Sequence, residues 1–345
     1  MKQIFIFGFG LIILFGCNSN NDIQTDFAKI FGNTEQTFVI NNRNDTVLIG
    51  LKGTQIFLPK NLLSRSLSKN DAMKVVLREF YTTSDMILAG LSTTSNGKII
   101  ETNGMIDLNI YINNQKVEKI DKLISISFAK DTESYGYSIF YGDFKENKIN
   151  WELDTLTKNY HICYNMVLNG KPCNPIYRCD YAMDTVRIDS IHWQNSYTKI
   201  DSIITFSESN DTISFAKFWR SDSTISQPLY EFGFRVSKLG WINCDRFIDF
   251  PDLTGVKVKS NSSSNPYYFL VFNDLNSIMP NYEKNEFSNV PIGQIVTLIG
   301  IETRENKLYY GISDKFMIKK DIVVDLKLKE SSAEYIKQLI RKIDK

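Results

Sequence analysis

Cys163, Cys173, Cys179 and Cys244 are the residues whose chemistry the sequence raises first. Four thiols form an even set, which in an oxidising compartment pairs into disulfides, and all three pairings are open. A loop of about 15 residues closed in this way stabilises a fold by roughly 3 kcal/mol in the chain-entropy description. The alternative chemistry is a metal site drawn from His161, Cys163, Cys173 and Cys179. Zinc favours closely spaced ligand pairs to set up its tetrahedron, and these intervals are looser, so disulfides are the expected use. No metal-ligating, cofactor-binding or catalytic residue is assigned. His161 and His192 are the two histidines of the chain, too few for a relay of several imidazoles.

Other spacings have the form of catalytic motifs without their companions. Ser66-x-x-Lys69, Ser127-x-x-Lys130 and Ser214-x-x-Lys217 each place a lysine where it would activate a serine, as in penicillin-recognising enzymes. That chemistry also needs a Ser-Asp-Asn and a Lys-Thr-Gly element, and the chain contains neither. The pairs Glu152 with Asp154 and Asp180 with Asp184 have the residue types of glycoside hydrolysis, but sequence spacing does not set the ~5 or 6.5–9.5 Å separations that chemistry demands. Tyr267, Tyr268, Trp241, Trp219 and Trp193 offer flat rings for stacking sugars or peptides, although β cores consume most such residues in packing.

The elements that would position these residues are strands. The chain has 345 residues, 43% hydrophobic and 13% aromatic, enough for two or three compact domains with a real core. With 40 Lys+Arg against 39 Asp+Glu, the balance gives no electrostatic basis for nucleic acid as a partner. Short β-branched and aromatic runs recur at 47–51, 74–80, 105–112, 123–128, 202–206, 230–236, 267–272, 294–301 and 322–328, bounded by Asn, Asp, Gly and Ser. Val256 and Val258 alternate with lysines, and Ile322, Val324, Leu326 and Leu328 with polar residues, as half-buried strands do. No helical period of about 15 residues separates these runs, which argues against a parallel nucleotide-binding sheet.

The pattern therefore predicts a mostly β protein with two sandwich-like domains. A first domain spans 37–150, an irregular cysteine-containing segment 151–228, and a C-terminal β domain 229–345. Its last element is a helix: Ser331-Ser332-Ala333-Glu334 reads as a capping box, followed by an apolar stripe of Ile336, Leu339, Ile340 and Ile343. Gly90, Asn96-Gly97 and Asn103-Gly104 are expected to supply tight turns.

Ahead of these domains, Met1-Lys2 precedes an uncharged apolar run ending in Leu14-Phe15-Gly16-Cys17. The run is too short to cross a hydrocarbon layer, which takes roughly 20 helical residues. It resembles a bacterial lipobox, and the resemblance implies removal of residues 1–16 and acylation of Cys17. Two or three acyl chains anchor stably, at ~0.8 kcal/mol per buried CH₂. Removing the leader takes away one lysine and no acid, leaving 39 charges of each sign. Residues 17–36, opening with Asn18-Ser19-Asn20-Asn21-Asp22, are then expected to be a lipidated tether. The implied address is the outer membrane, with the periplasmic and surface faces both open.

Within the first domain, Gly53-Thr54-Gln55-Ile56-Phe57-Leu58-Pro59 is followed by the strand 75–80, then Ala89-Gly90 and Glu101-Thr102-Asn103-Gly104-Met105. This order resembles the ZU5-type β-sandwich found in bacterial surface lipoproteins. The segment 239–247, beginning Leu239-Gly240-Trp241, resembles one that recurs in Bacteroidota lipoproteins ahead of a C-terminal β domain. Some ZU5-related domains cleave themselves between Phe and Ser with help from a His. Phe206-Ser207, Phe287-Ser288 and His192 are present here, but their flanks depart from that pattern and an intact chain is expected. The combined expectation is a non-catalytic lipoprotein that binds or scaffolds glycan or protein partners in the cell envelope. The alternative is an envelope hydrolase acting on polysaccharide or peptide.

Overall fold

Strand pairing brings together parts of the chain that the hydrophobic pattern leaves apart. A computed structural model describes residues 23–32, 34–64, 73–129, 137–145, 148–155, 159–164, 201–208, 211–218, 229–262, 266–281 and 285–344. Among the described residues the chain is mostly β, with 24 strands and three helices. In chain order the elements begin α1 (Ile23–Phe31), β1 (Gln36–Ile40), β2 (Thr46–Ile49), β3 (Gln55–Leu58), β4 (Met73–Phe80), α2 (Thr83–Leu88), β5 (Thr94–Ser95) and β6 (Lys98–Ile112). They continue with β7 (Gln115–Lys116), β8 (Ile124–Ser127), β9 (Ser138–Lys145), β10 (Lys148–Leu153), β11 (Asn159–Tyr164), β12 (Asp201–Glu208), β13 (Asp211–Phe218), β14 (Leu229–Val236) and β15 (Gly240–Phe247). The last are β16 (Leu253–Ser260), β17 (Tyr267–Phe272), β18 (Ser277–Asn281), β19 (Glu286–Pro291), β20 (Ile295–Arg304), β21 (Lys307–Ile312), β22 (Phe316–Met317), β23 (Ile322–Leu326), β24 (Lys329–Ser331) and α3 (Ala333–Ile340).

The first sandwich faces a sheet ordered β1-β4-β6-β15-β9-β10 against one ordered β11-β14-β8-β3-β2. Between them lies a core of aliphatic side chains, among them Ile56, Val75, Leu77, Ile106, Leu108, Ile110, Ile126 and Ile242. The second sandwich sets β19-β16-β23 against β18-β17-β20-β21-β24 over Val256, Leu270, Phe272, Leu298 and Leu326. A third core joins the two, where Phe80, Met105, Phe140 and Trp151 meet Phe27, Ile87, Phe269, Ile299, Ile336 and Ile340. The central sheet is thus covered on both faces. This explains why β6 is buried along most of its length, a pattern unlike the one-sided alternation of a surface sheet.

Five expectations change here. The division at 229 does not hold, because β14 pairs with β8 and β11, and β15 pairs with β6 and β9, so both complete the first sandwich. Likewise β10 and β11 belong to that sandwich rather than to a separate middle segment, and Trp151 is fully enclosed with its Nε1 donating to Ser92 O at 2.7 Å. Strand composition identifies a strand but not its partner, and here the chain returns to the first domain from far along the sequence.

Part of the stretch 17–36, expected to be a tether, is folded. From Ile23 the chain is helical, with Phe27 fully buried and its ring 5.4 Å from Tyr267 and 5.8 Å from Phe269. Finally, Asn103-Gly104 lies inside β6 instead of in a hairpin. Gly104 has φ +154° and sits opposite Cys244, beside a register shift between Cys244 and Asp245. A Cβ there would collide with the Tyr81 ring, so the glycine admits close packing rather than a turn. The Asn96-Gly97 pair does form the expected turn, with φ of 49° and 78° between β5 and β6.

The C-terminal helix caps one residue later than the capping-box reading. Ser332 is the N-cap and its side chain accepts from Tyr335 N, so Glu334 falls in the first turn, one place short of reciprocating. Its apolar stripe does pack inward through Ile336 and Ile340.

Candidate functional site

A cleft of about 210 Å³ opens where α1, α2 and α3 meet the central sheet. Its walls carry four cations, Lys52, Arg78, Lys337 and Arg341, and one carboxylate, Asp85, between the apolar surfaces of Phe31, Phe80 and Leu88. Each charged group is placed by a distinct part of the fold.

Arg78 and Asp107 are register partners on β4 and β6, and Trp241 of β15 is the next in the row. The guanidinium donates from Nε and Nη2 to Asp107 Oδ2 at 3.0 and 2.5 Å, and its carbon lies 4.8 Å from the Trp241 ring centroid. Asn109 donates to the other Asp107 oxygen at 2.8 Å. A carboxylate on one side and an aromatic face on the other hold the guanidinium at a fixed height above the sheet.

Lys52 comes from the loop between β2 and β3, and Glu79 holds that loop. Glu79 is 2% exposed, yet its carboxylate accepts from Gln36 Nε2 at 2.7 Å, Lys52 N at 3.0 Å and Thr54 N at 3.0 Å. Gly50 lies against the same carboxylate, where any Cβ would overlap it. Charge-assisted bonds to backbone N–H groups are the strong kind, so a buried acid is tolerated here as the clamp of a turn. With its backbone fixed, Lys52 reaches Asp85 Oδ1 at 2.5 Å. Asp85 is itself anchored in the capping box of α2, where it accepts from Tyr81 N and Thr82 N at 3.0 and 3.2 Å.

Lys337 and Arg341 are four residues apart on the α3 side of the cleft. Lys337 pairs loosely with Glu334 at 3.4 Å, a residue whose side chain is 70% exposed at the rim. Arg341 is exposed and forms no ion pair among the described residues. Residues just beyond α3 tie the helix down: Asp344 accepts from Ser84 N at 2.9 Å and from Ser84 Oγ, at the start of α2.

A second polar cluster lies in the seam between the sandwiches. Thr93 and Ser277 hydroxyls are 2.7 Å apart, and Asn276 donates to Tyr81 O and Thr102 O at 3.2 and 2.8 Å. Beside them Thr102 donates to Asn243 Oδ1 at 2.8 Å, and Asn243 donates to Asp245 Oδ2 at 2.5 Å. Asp245 is fully buried and its Oδ1 has no partner among the described residues. Burial pushes its carboxyl well above the usual range, against the opposing bonds from Thr102 and Asn243. Next to it Cys244 is a free thiol, fully enclosed in the first core and likewise pushed up by burial.

These positions bear directly on the sequence-derived residues. Cys244 is a free thiol among the described residues, its sulfur packed among the aliphatic side chains of the first core. Cys17, Cys173 and Cys179 lie outside the described residues, and of Cys163 only the backbone, opposite Tyr230 in β14, is described. Trp193, Trp219, His192 and the Asp180–Asp184 pair also lie outside them. Tyr268 is fully buried with its hydroxyl donating to Ser260 Oγ at 2.9 Å, and Tyr267 donates to Asp26 at 3.4 Å, so these two serve packing. Trp241 supports Arg78 from below. Phe287 is a core residue, 2% exposed. Comparison with protein-family models, curated proteins and solved structures gave no match.

The cleft itself was not anticipated from the sequence. Its one local signal is the four-residue interval between Lys337 and Arg341. A second clue is the pair Arg78-Glu79 inside a strand with apolar residues on both faces, which marks two charges that must each find a built partner.

Proposed function

We propose that this protein is a membrane-anchored lipoprotein of the outer membrane, whose first sandwich is a ZU5-like domain. It acts as a non-catalytic binding or scaffold module in the cell envelope. The observation that supports this reading is α1. The lipobox-like motif ends at Cys17, and Ile23 already begins a helix whose Phe27 and Phe31 are part of the joint core of the two sandwiches. Six residues of extended chain reach at most about 20 Å. A lipid on Cys17 would therefore hold the folded body against the bilayer and bring the cleft, which α1 helps to line, close to the headgroups. This arrangement suits contact with partners at the membrane surface rather than capture at a distance.

A raised carboxyl opening into the cleft would instead favour the hydrolase. Among the described residues the carboxyl raised by burial, Asp245, is sealed in the seam between the sandwiches, and the acid of the cleft, Asp85, is tied to Lys52 and to the cap of α2.

A photo-crosslinking amino acid placed at Arg341 in cells tests the reading. The expected result is a discrete adduct with one envelope component, lost when Cys17→Ser leaves the body unanchored. Steady turnover of polysaccharide or peptide by the purified chain, with no adduct, would overturn it.

A further inference from the structure

We propose that the cleft between α1, α2 and α3 binds the carboxylate or phosphate group of a small, partly apolar molecule. The inference deepens the binding-module reading and rests on it. The cleft lining holds four cations and one acid, Asp85, while Asp107 and Glu334, outside the lining, pair with Arg78 and Lys337 and leave Arg341 as the cation without an ion pair among the described residues. Two of the cations are held ready: Asp107 and Trp241 fix Arg78, and Asp85 fixes Lys52. The other two are less committed, since Lys337 has only an outlying partner and Arg341 has none among the described residues. An entering oxyanion would take its bonds from Lys337 and Arg341, in a field that Asp107 and Asp85 reduce at Arg78 and Lys52. Guanidinium and ammonium donors together suit the planar carboxylate and the rounder phosphate alike.

The apolar walls and the volume narrow the class. Phe31 and Phe80 offer ring surface, and about 210 Å³ is below the ~300–1,000 Å³ of pockets that enclose drug-sized ligands. That size fits one ring or a short chain bearing the anion, not a length of polymer.

The competing explanation is that the cations only neutralise helix ends. The cleft meets the last turns of α1 and α2 and the C-terminal half of α3, where backbone carbonyls carry partial negative charge of about half a unit per helix. The two explanations part company in a titration. The full chain in detergent micelles is titrated calorimetrically with phenyl phosphate and with benzoate, and with benzyl alcohol as the uncharged probe. Both anions are expected to bind at one site, more weakly as salt rises, while benzyl alcohol does not. The double variant Lys337→Gln/Arg341→Gln is expected to bind at least about tenfold more weakly with an unchanged melting temperature.

Absence of heat with either anion overturns the proposal. So does equal binding of benzyl alcohol, or a double variant that binds like the parent. A double variant that melts lower, in a chain whose parent binds no anion, identifies helix neutralisation as the role of these cations. The result is independent of the anchor: an unlipidated Cys17→Ser chain retains anion binding if only the membrane reading is wrong. A crosslinked partner persists if only the cleft reading is wrong.

Discussion

Glu79→Ala is expected to cost about 3–5 kcal/mol of stability, one of the two largest single-residue effects foreseen in this molecule. The substitution leaves three donors without their acceptor, Gln36 Nε2 and the backbone N–H groups of Lys52 and Thr54, in a site where Thr54 is fully buried. Each unsatisfied buried donor costs about 1–3 kcal/mol, and the vacated volume beside Gly50 adds a packing loss. Glu79→Gln should cost about 2 kcal/mol, because its amide turns an N–H toward one of the same donors. Denaturant midpoints of the three proteins check the order. A loss below about 1 kcal/mol for the alanine variant would mean that the loop stands without its clamp. The variant should also loosen Lys52 from Asp85, so any anion affinity of the cleft should fall with it.

The other large effect is a pH dependence that one substitution removes. Burial pushes the Asp245 carboxyl well above its usual range in the folded protein, whereas in the unfolded chain it ionises above about pH 4. The unfolded state therefore binds fewer protons, and stability falls as pH rises from that value toward the raised folded one, by up to about 1.4 kcal/mol per unit. Below pH 4 the contribution is fully present. Asp245→Asn keeps the shape and the bond from Asn243 but cannot ionise. It should match the parent near pH 4, exceed it increasingly as pH rises above that value, and show a flatter profile there. Measuring below pH 8 keeps the thiol of Cys244, also raised by burial, out of the profile. Parallel profiles for parent and variant would show that Asp245 is ionised in the fold.

Much of the architecture was legible because strands advertise themselves through alternation. Val256 and Val258 are buried between exposed Lys257 and Lys259, and the C-terminal stripe of Ile336 and Ile340 packs inward. What was not legible is which face of a strand meets which layer. On β6, Asp107 and Asn109 alternate with Ile106, Leu108 and Ile110, yet their face is covered by the second sandwich and the helices, and they are buried beneath Arg78. Similarly, α1 was hidden by its Asn-rich approach, although Ile23, Phe27, Ile30 and Phe31 have helical spacing. The cleft draws Lys52, Arg78, Lys337 and Arg341 from three separated stretches. No local pattern announces a charge cluster assembled by tertiary pairing.

The account stands on a lipid at Cys17 followed at once by a helix docked in the core. Intact mass spectrometry of the chain extracted from membranes measures this directly. The predicted result is a polypeptide that starts at Cys17 and carries a mass increment of diacylglycerol with a further acyl chain. A mass equal to the unmodified chain with its leader retained would contradict it.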